Sequence, residues 1–395
     1  MQQQTTDIVI IGGGMVGAAC AAGLGQLGLQ ITLLEQNSLS PFQPNAPYDL
    51  RISAISRASV DLLQQLNAWD YIAARRVCPY RHLATWELDG FETRFSASDL
   101  QLSELGYMVE NILIQEGLWQ ALACFENVNT YTAVKVVNQQ RQQGLWQLNL
   151  DNGQQLTARL IIAADGANSK WREIAGIGLH GWQYRQDCLL IVVETELAQQ
   201  DITWQQFFPS GPRAFLPLIG KQACLVWYDS PAKIRQLQAL SNDQLALEIE
   251  RAFPSRLGAV RVQNKGSFPL TRRHALDYVK NGIVLIGDSA HTINPLAGQG
   301  VNLGFKDVKT LLEIMTSAQQ QGVSVADMLA DDRLLKRYQQ LRQRDNLLMQ
   351  TGMDIFYKVF KDDLLPLKIG RNLGLLLANK CTPLKRQALK YAIGY

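Results

Sequence analysis

The chain reads as an α/β fold carrying an α+β insertion. Three observations predict it. A strand–glycine turn–helix–strand unit opens the sequence, two later strands each end in a Gly/Asp pair, and β-branched and aromatic runs fill the stretch between them. At 395 residues, 47% apolar and 18% charged with eight Trp and twelve Phe, the chain can bury two cores and is too apolar to stay disordered. Met1-Gln2-Gln3-Gln4 does not read as a secretory leader, and no apolar run nears the roughly 18 residues of a membrane span. A cytoplasmic protein is expected. The six cysteines form no CxxC pair and the four histidines show no HExxH spacing, so reduced, packed thiols and no protein metal site are expected.

Each part of the opening unit has a mechanical reason. Residues 7–11 are a short apolar run suited to a buried parallel strand. They enter Gly12-Gly13-Gly14-Met15-Val16-Gly17, a GxGxxG turn, and then a small-residue helix that ends near Gly28. A second strand, residues 31–34, finishes at Glu35, 18 residues after Gly17. Gly12 permits the tight turn, Gly14 lets backbone approach a pyrophosphate, and Gly17 lets helix and strand pack closely. The helix N-terminus offers unpaired N–H groups to phosphate, and Glu35 can accept from ribose hydroxyls. The unit is Rossmann-like. A second GxGxxG, Gly176 to Gly181, follows a helix-like stretch and lacks an acid about 20 residues on, so it reads as a loop.

Residues 160–164 form another buried run, ending at Asp165-Gly166, with Asn168 or Ser169 placed to cap the next helix and Arg172 in its first turn. Residues 282–286 end at Gly287-Asp288, and a glycine-rich stretch through Asn294, Pro295 and Gly300 leads into a helix. Asp288 can bond a ribityl hydroxyl or simply cap its turn. The N–H groups of Gly300, Val301 and Asn302 can face a pyrimidine carbonyl. Two such extra segments suit a larger, permanently bound dinucleotide. Because the turns lie near residues 12, 165 and 288, the cofactor domain must be discontinuous, and it is expected over 1–75, 106–186 and 268–355. Residues 76–105 and 187–267 are expected to form a mixed substrate-binding sheet, with a helix over 241–253. Trp204, Phe207, Phe215 and Trp227 in that sheet either face the cofactor or are plain core.

Read in order, Gly12–Gly17, Asp165-Gly166 and Gly287-Asp288 resemble the class A FAD-dependent aromatic hydroxylases, with a para-hydroxybenzoate-hydroxylase-like fold. Residues 49–56 and 287–291 are similar to the ubiquinone-biosynthesis branch of that family. Residues 106–111, 211–218, 225–231, 268–274 and 384–392 extend the likeness over nearly the whole chain. The resemblance implies bound FAD, O2 as co-substrate, and NAD(P)H or a protein reductant as electron donor. It implies hydroxylation of the ring of a polyprenylated quinol through a flavin hydroperoxide. Position by position it assigns Glu35 to the ribose, Arg51 to the pyrophosphate or flavin edge, and Gln115 to the flavin from its helix. It assigns Asp165 and Asp288 to the cofactor, Gly300 to Asn302 to the isoalloxazine, and Asn294 and Pro295 to the reacting edge. Arg51 can equally be a surface ion pair and Gln115 an exposed helix residue. His291 is either a proton relay or a residue bonded within its turn.

From residue 358 onward eight basic residues face only Asp362 and Asp363, a net +6, which leaves −3 for the first 357 residues. Leu365, Ile369, Leu373 and Leu376 share one helical face, with Lys368 and Arg371 opposite. Residues 356–395 are therefore expected to be a basic, partly amphipathic helical segment touching the inner membrane face or a lipid-presenting partner. No nucleic-acid partner is expected, and self-association is left open. Three other readings remain: another ring or phenolic-acid hydroxylase, a flavin reductase of prenyl chains, and a prenyl-lipid escort holding no flavin. The intact glycine turn, Glu35 and Asp288 speak against the escort.

Overall fold

Burial along the strands explains how one chain builds two large sheets. In the computed structural model, which describes residues 3–293, 300–361, 368, 370–372, 374 and 382–395, the strand Gln3–Ile11 lies inside a mostly parallel eight-stranded sheet. Ile31–Leu34 and Gln155–Ala163 flank it in parallel, and Val128–Tyr131 and Ile283–Leu285 extend the parallel row on either side. Ile8, Val9 and Ile10 are all fully buried, consecutive rather than alternating, because this sheet is covered on both faces. Helix Met15–Gln26 packs against Asn111–Leu122 and Gly300–Gln320. A hairpin, Val136–Gln142 and Leu145–Leu150, joins the outer flank antiparallel.

The second eight-stranded sheet runs His291–Thr292, Val260–Ala275, Leu179–Thr195, Gln222–Asp229, Arg213–Pro217, Ile202–Gln206, His82–Trp86, Thr93–Ser96. Its two long strands pair antiparallel from Leu179↔Ala275 to Thr195↔Val260 and carry the chain from one sheet to the other. Gly181 belongs to this pairing: a Cβ there would sit 2.2 Å from the Arg272 carbonyl oxygen. The second GxGxxG is thus half strand rather than loop, its last glycine required by close strand approach.

Period-two alternation sorts the sheet's two faces. Leu189, Ile191, Phe215, Leu225 and Trp227 pack with helices Pro231–Ala239 and Asn242–Ala252. Cys188, Val192, Leu216, Val226 and Tyr228 point the other way, toward a three-stranded sheet of Ile52–Ser56, Cys78–Tyr80 and Gly106–Glu110. Phe215, stacked on Trp204 at 5.3 Å, and Trp227, edge-on to Phe253 at 5.5 Å, are therefore core. Ser241 opens the second helix with a capping box. The first, capped by Ser230 with Pro231 in its first turn, is an element the periodicity did not announce.

The long helix Asp332–Lys361 is pinned across the second sheet. Tyr184 and Arg272 both bond Asp354, and Gln350 Nε2 donates to the Arg273 carbonyl at 3.0 Å. Arg371, expected on an outward polar face, is bonded inward. Its Nε donates to Glu87 Oε2 at 2.8 Å, and Asn372 Nδ2 donates to the same oxygen at 2.7 Å. Glu87 is buried, and a buried carboxylate demands such partners. Leu365, Ile369, Leu373 and Leu376 lie outside the described residues. Helix Thr382–Ile393 buries Leu389 and Ile393, and Lys385 pairs with Asp99 at 3.1 Å. Among the described residues no helix is long and apolar enough to cross a membrane.

Candidate active site

The glycine turn is shaped by contacts that exclude side chains. Gly12 has φ +102°, and a Cβ on it would lie 2.4 Å from the Ala164 carbonyl oxygen; one on Gly17 would lie 1.9 Å from the Gly12 carbonyl oxygen. Gly14 differs: a Cβ there meets nothing within 4 Å, so it borders open space at the uncapped start of helix Met15–Gln26. Between them the Gly13 peptide is clamped from both sides. Its N–H donates to Glu35 Oε2 at 2.8 Å, while its carbonyl accepts from Gln115 Nε2 and Trp119 Nε1, each at 2.8 Å. Glu35 Oε1 accepts from the Asn37 backbone N–H at 2.8 Å.

In front of this turn opens a cavity of about 350 Å³, bordered by Gly14, Glu35, Asp49, Arg51, Asn111 and Gln115. The Arg51 backbone is held by Asp49 and Asn111, but its exposed guanidinium bonds to none of the described residues. A free cation beside an uncapped helix N-terminus is an anion site.

Three strand ends converge behind the turn. The Ala164 N–H donates to the Ile11 carbonyl at 2.8 Å, and the Ile286 N–H to the Ala163 carbonyl at 3.0 Å. Ser289 Oγ also donates to Ala163 at 2.6 Å, and buried Arg172 donates to the Ser289 carbonyl at 3.0 Å. Val16 fills the gap below, against which a Cβ on Gly287 or Gly304 would come within 3.3 or 2.5 Å. Asp165 Oδ2 accepts from the Trp171 N–H at 3.3 Å, whereas its buried Oδ1 finds no partner among the described residues. Such an orphaned acceptor asks for a donor from outside the chain.

Asp288 sits in a one-turn 3₁₀ helix with its side chain solvent-accessible, although the surrounding protein desolvates it enough to raise its proton affinity, with His291 opposing. His291 itself is buried, its Nε2 2.6 Å from Asp307 Oδ2. Asp307 is fully buried. It accepts from the Gly287 N–H at 2.9 Å and from Arg342 Nε at 2.7 Å. Burial alone would raise its carboxyl, but His291 and Arg342 outweigh that and hold it at about 2. The ring of His291 is therefore bonded within a structural network. Asn302, at the start of helix Gly300–Gln320, accepts from the Ser56 N–H at 3.0 Å and Ser59 Oγ at 2.8 Å, and donates to the Ala54 carbonyl at 2.8 Å. Its side chain locks the helix to the three-stranded sheet, leaving only backbone to face a ligand.

Past Ala54 lies an apolar cavity of about 260 Å³ between the second sheet and the C-terminal helices, bordered by Tyr80, Leu83, Trp204, Phe207, Leu216 and Met353. Trp204 and Phe207 thus do reach a cavity, while Phe215 and Trp227 do not. Among the described residues no cluster of three His, Cys, Asp or Glu is arranged to hold a metal ion.

A family profile described as FAD binding domain matches residues 5–346. This chain belongs to that FAD-binding family. Curated relatives in it include the 3-demethoxyubiquinol 3-hydroxylase of Escherichia coli (strain K12), 52% identical over 394 residues and covering all of both chains. Ubiquinone hydroxylase UbiL of Rhodospirillum rubrum is 32% identical over 99% of this chain and 90% of its own length. Among solved structures, p-nitrophenol 4-monooxygenase PnpA from Pseudomonas putida DLL-E4 superposes with a TM-score of 0.80 at 18% identity, covering 100% of this chain and 98% of that one. PqsL from Pseudomonas aeruginosa, a probable FAD-dependent monooxygenase, gives 0.77 at 19% over 94% and 99%. These two show the shared fold, the para-hydroxybenzoate-hydroxylase-like one.

The residues present fit FAD: open space at Gly14, an Arg51 guanidinium bonded to none of the described residues, a buried Asp165 oxygen in want of a donor and the accessible Asp288 stand at strand ends that are hydrogen-bonded to one another. Of the residues singled out from sequence, Gly12, Gly14, Gly17, Glu35, Arg51 and Gln115 gather at the glycine turn, though Gln115 bonds the turn itself. Asp165, Asp288, Gly300, Val301 and Asn302 lie at the other two ends. Asn294 and Pro295 lie outside the described residues. Sequence reasoning missed Trp119, one helical turn after Gln115, and Asp307, two turns after Gly300. Helical spacing from an already chosen residue would have found both.

Proposed function

We propose that this chain hydroxylates the benzoquinol ring of a polyprenylated ubiquinone precursor, taking demethoxyubiquinol to demethylubiquinol. The observation that carries this reading is 52% identity, end to end, with an enzyme named 3-demethoxyubiquinol 3-hydroxylase. Bound FAD supplies the redox chemistry, with electrons from an NAD(P)H-type or protein donor and one oxygen atom of O2 delivered to the ring. The chain's own residues bind and position. Gly12, Gly14 and Gly17 bring the first helix N-terminus to the pyrophosphate with Arg51, and Glu35 accepts from the ribose. Asp165 and Asp288 accept from ribityl hydroxyls, and backbone N–H groups of Gly300 to Asn302 meet the isoalloxazine. Asn294 and Pro295 border the reacting edge, and His291 holds the Gly-Asp turn in place. On this reading 1–75, 106–186 and 268–355 serve the cofactor, while 76–105 and 187–267 roof the substrate. The apolar cavity at Leu83, Phe207 and Leu216 suits a water-excluding site for ring and first isoprene units. A substrate with such a tail calls for a membrane surface or a lipid-presenting partner beside the enzyme.

The test is genetic and chemical together. A strain lacking its own demethoxyubiquinol hydroxylase should accumulate the demethoxy intermediate by mass spectrometry, and this chain should restore ubiquinone. Restoration of a strain blocked at a different ring position instead would transfer the assignment to that step.

A further inference from the structure

The helix Asp332–Lys361 turns outward a face that water alone does not suit. Leu341, Leu348 and Ile355 recur at seven-residue spacing and are 51%, 63% and 56% exposed, with exposed Leu347 beside them. The stripe continues onto the adjoining sheet. Gln343 Nε2 donates to the Leu276 carbonyl at 2.9 Å, which ties exposed Leu276 to this helix. Arg272, paired with Asp354 of the helix, lies 4.5 Å over the exposed Trp182 ring, so that indole stands beside the same helix.

Charge decides what covers this face. After Asp332 the helix carries two acids, and both are engaged: Asp345 with Arg342 at 2.6 Å, and Asp354 with Arg272. Lys336, Arg337 and Arg344 remain exposed around the apolar stripe. Between Lys336 and Ile355 the helix thus presents cations and apolar side chains, its two acids there being already paired. We propose that this face is a docking surface for a bilayer containing anionic lipid, with the leucines, Ile355 and Trp182 entering the acyl boundary and Lys336, Arg337 and Arg344 meeting lipid phosphates. This deepens the proposed function, for which a polyprenyl substrate must be collected from lipid, and places the contact on the long helix rather than on the basic tail.

The test uses the FAD-loaded enzyme and vesicle flotation, with phosphatidylcholine alone or with phosphatidylglycerol added. Wild type floats with the anionic vesicles and less so at high salt. Leu348→Glu with Ile355→Glu weakens partitioning about tenfold, while FAD content and turnover of a short-tailed quinol hold at the wild-type level. Lys336→Glu with Arg337→Glu removes the dependence on phosphatidylglycerol. Three results overturn the proposal: wild type that fails to float with anionic vesicles, an apolar-stripe variant that floats equally well, or a wild-type dimer in size-exclusion that the same variant dissociates. Normal flotation without turnover of any quinol would instead overturn the assigned reaction and leave the surface standing.

Discussion

Replacing Asp307 by Asn removes a charge around which the Gly-Asp turn is built. A carboxyl held at about 2 where an unfolded aspartate titrates at 3.8 contributes about 2 kcal/mol to folding. Asparagine cannot substitute cleanly. Both carboxylate oxygens accept from donors, Gly287 N–H and His291 on one side and Arg342 on the other, so its NH2 must face a donor. With buried Arg342 also left short of countercharge, the loss at pH 7 should lie between about 2 and about 5 kcal/mol. The sign follows from the depressed folded value: the contribution is whole above about pH 5 and is lost as pH falls through 2. At pH 3 the ionic part has shrunk to about half. Urea unfolding of wild type and Asp307→Asn, followed by tryptophan fluorescence at one fixed free FAD concentration, measures the gap. A gap below about 1 kcal/mol at pH 7, or one that does not narrow between pH 5 and pH 3, refutes the account of Asp307 as a buried, doubly countercharged carboxylate.

Three other changes test the glycine turn. Glu35→Gln puts an NH2 against either the Gly13 or the Asn37 N–H, and its dissociation constant for FAD should rise roughly 10- to 100-fold by flavin fluorescence titration; unchanged affinity would remove Glu35 from the site. Trp119→Phe leaves the Gly13 carbonyl with Gln115 as its one side-chain donor and should weaken FAD binding by about fivefold, near 1 kcal/mol, with the melting temperature little moved. Gly17→Ala places a methyl 1.9 Å from the Gly12 carbonyl oxygen, so the purified protein should be colourless or insoluble, and a yellow, active Gly17→Ala enzyme would contradict the packing described.

Much of the cofactor site was legible because its determinants are local. A glycine is needed where a Cβ would strike a carbonyl one turn away, and an apolar run followed by Gly or Asp announces a buried strand end within a few residues. Partner choice across long separations was not legible. His291 could be a relay or a turn residue until Asp307 was found 2.6 Å from its ring. Arg371 belonged to an outward polar face until Glu87, distant in the chain, claimed it.

Sequence by itself determined the family, the cofactor and the order of the three strand ends, since backbone sterics and hydrophobic periodicity act between near neighbours. Tertiary structure alone decided which sheet face Phe215 and Trp227 occupy, that Arg172 ties the Ala167 carbonyl to the Gly-Asp turn, and that the described residues leave a leucine stripe on the helix Asp332–Lys361 exposed. Those outcomes depend on strand register and on buried charges finding counterparts, and neither is set until distant segments meet.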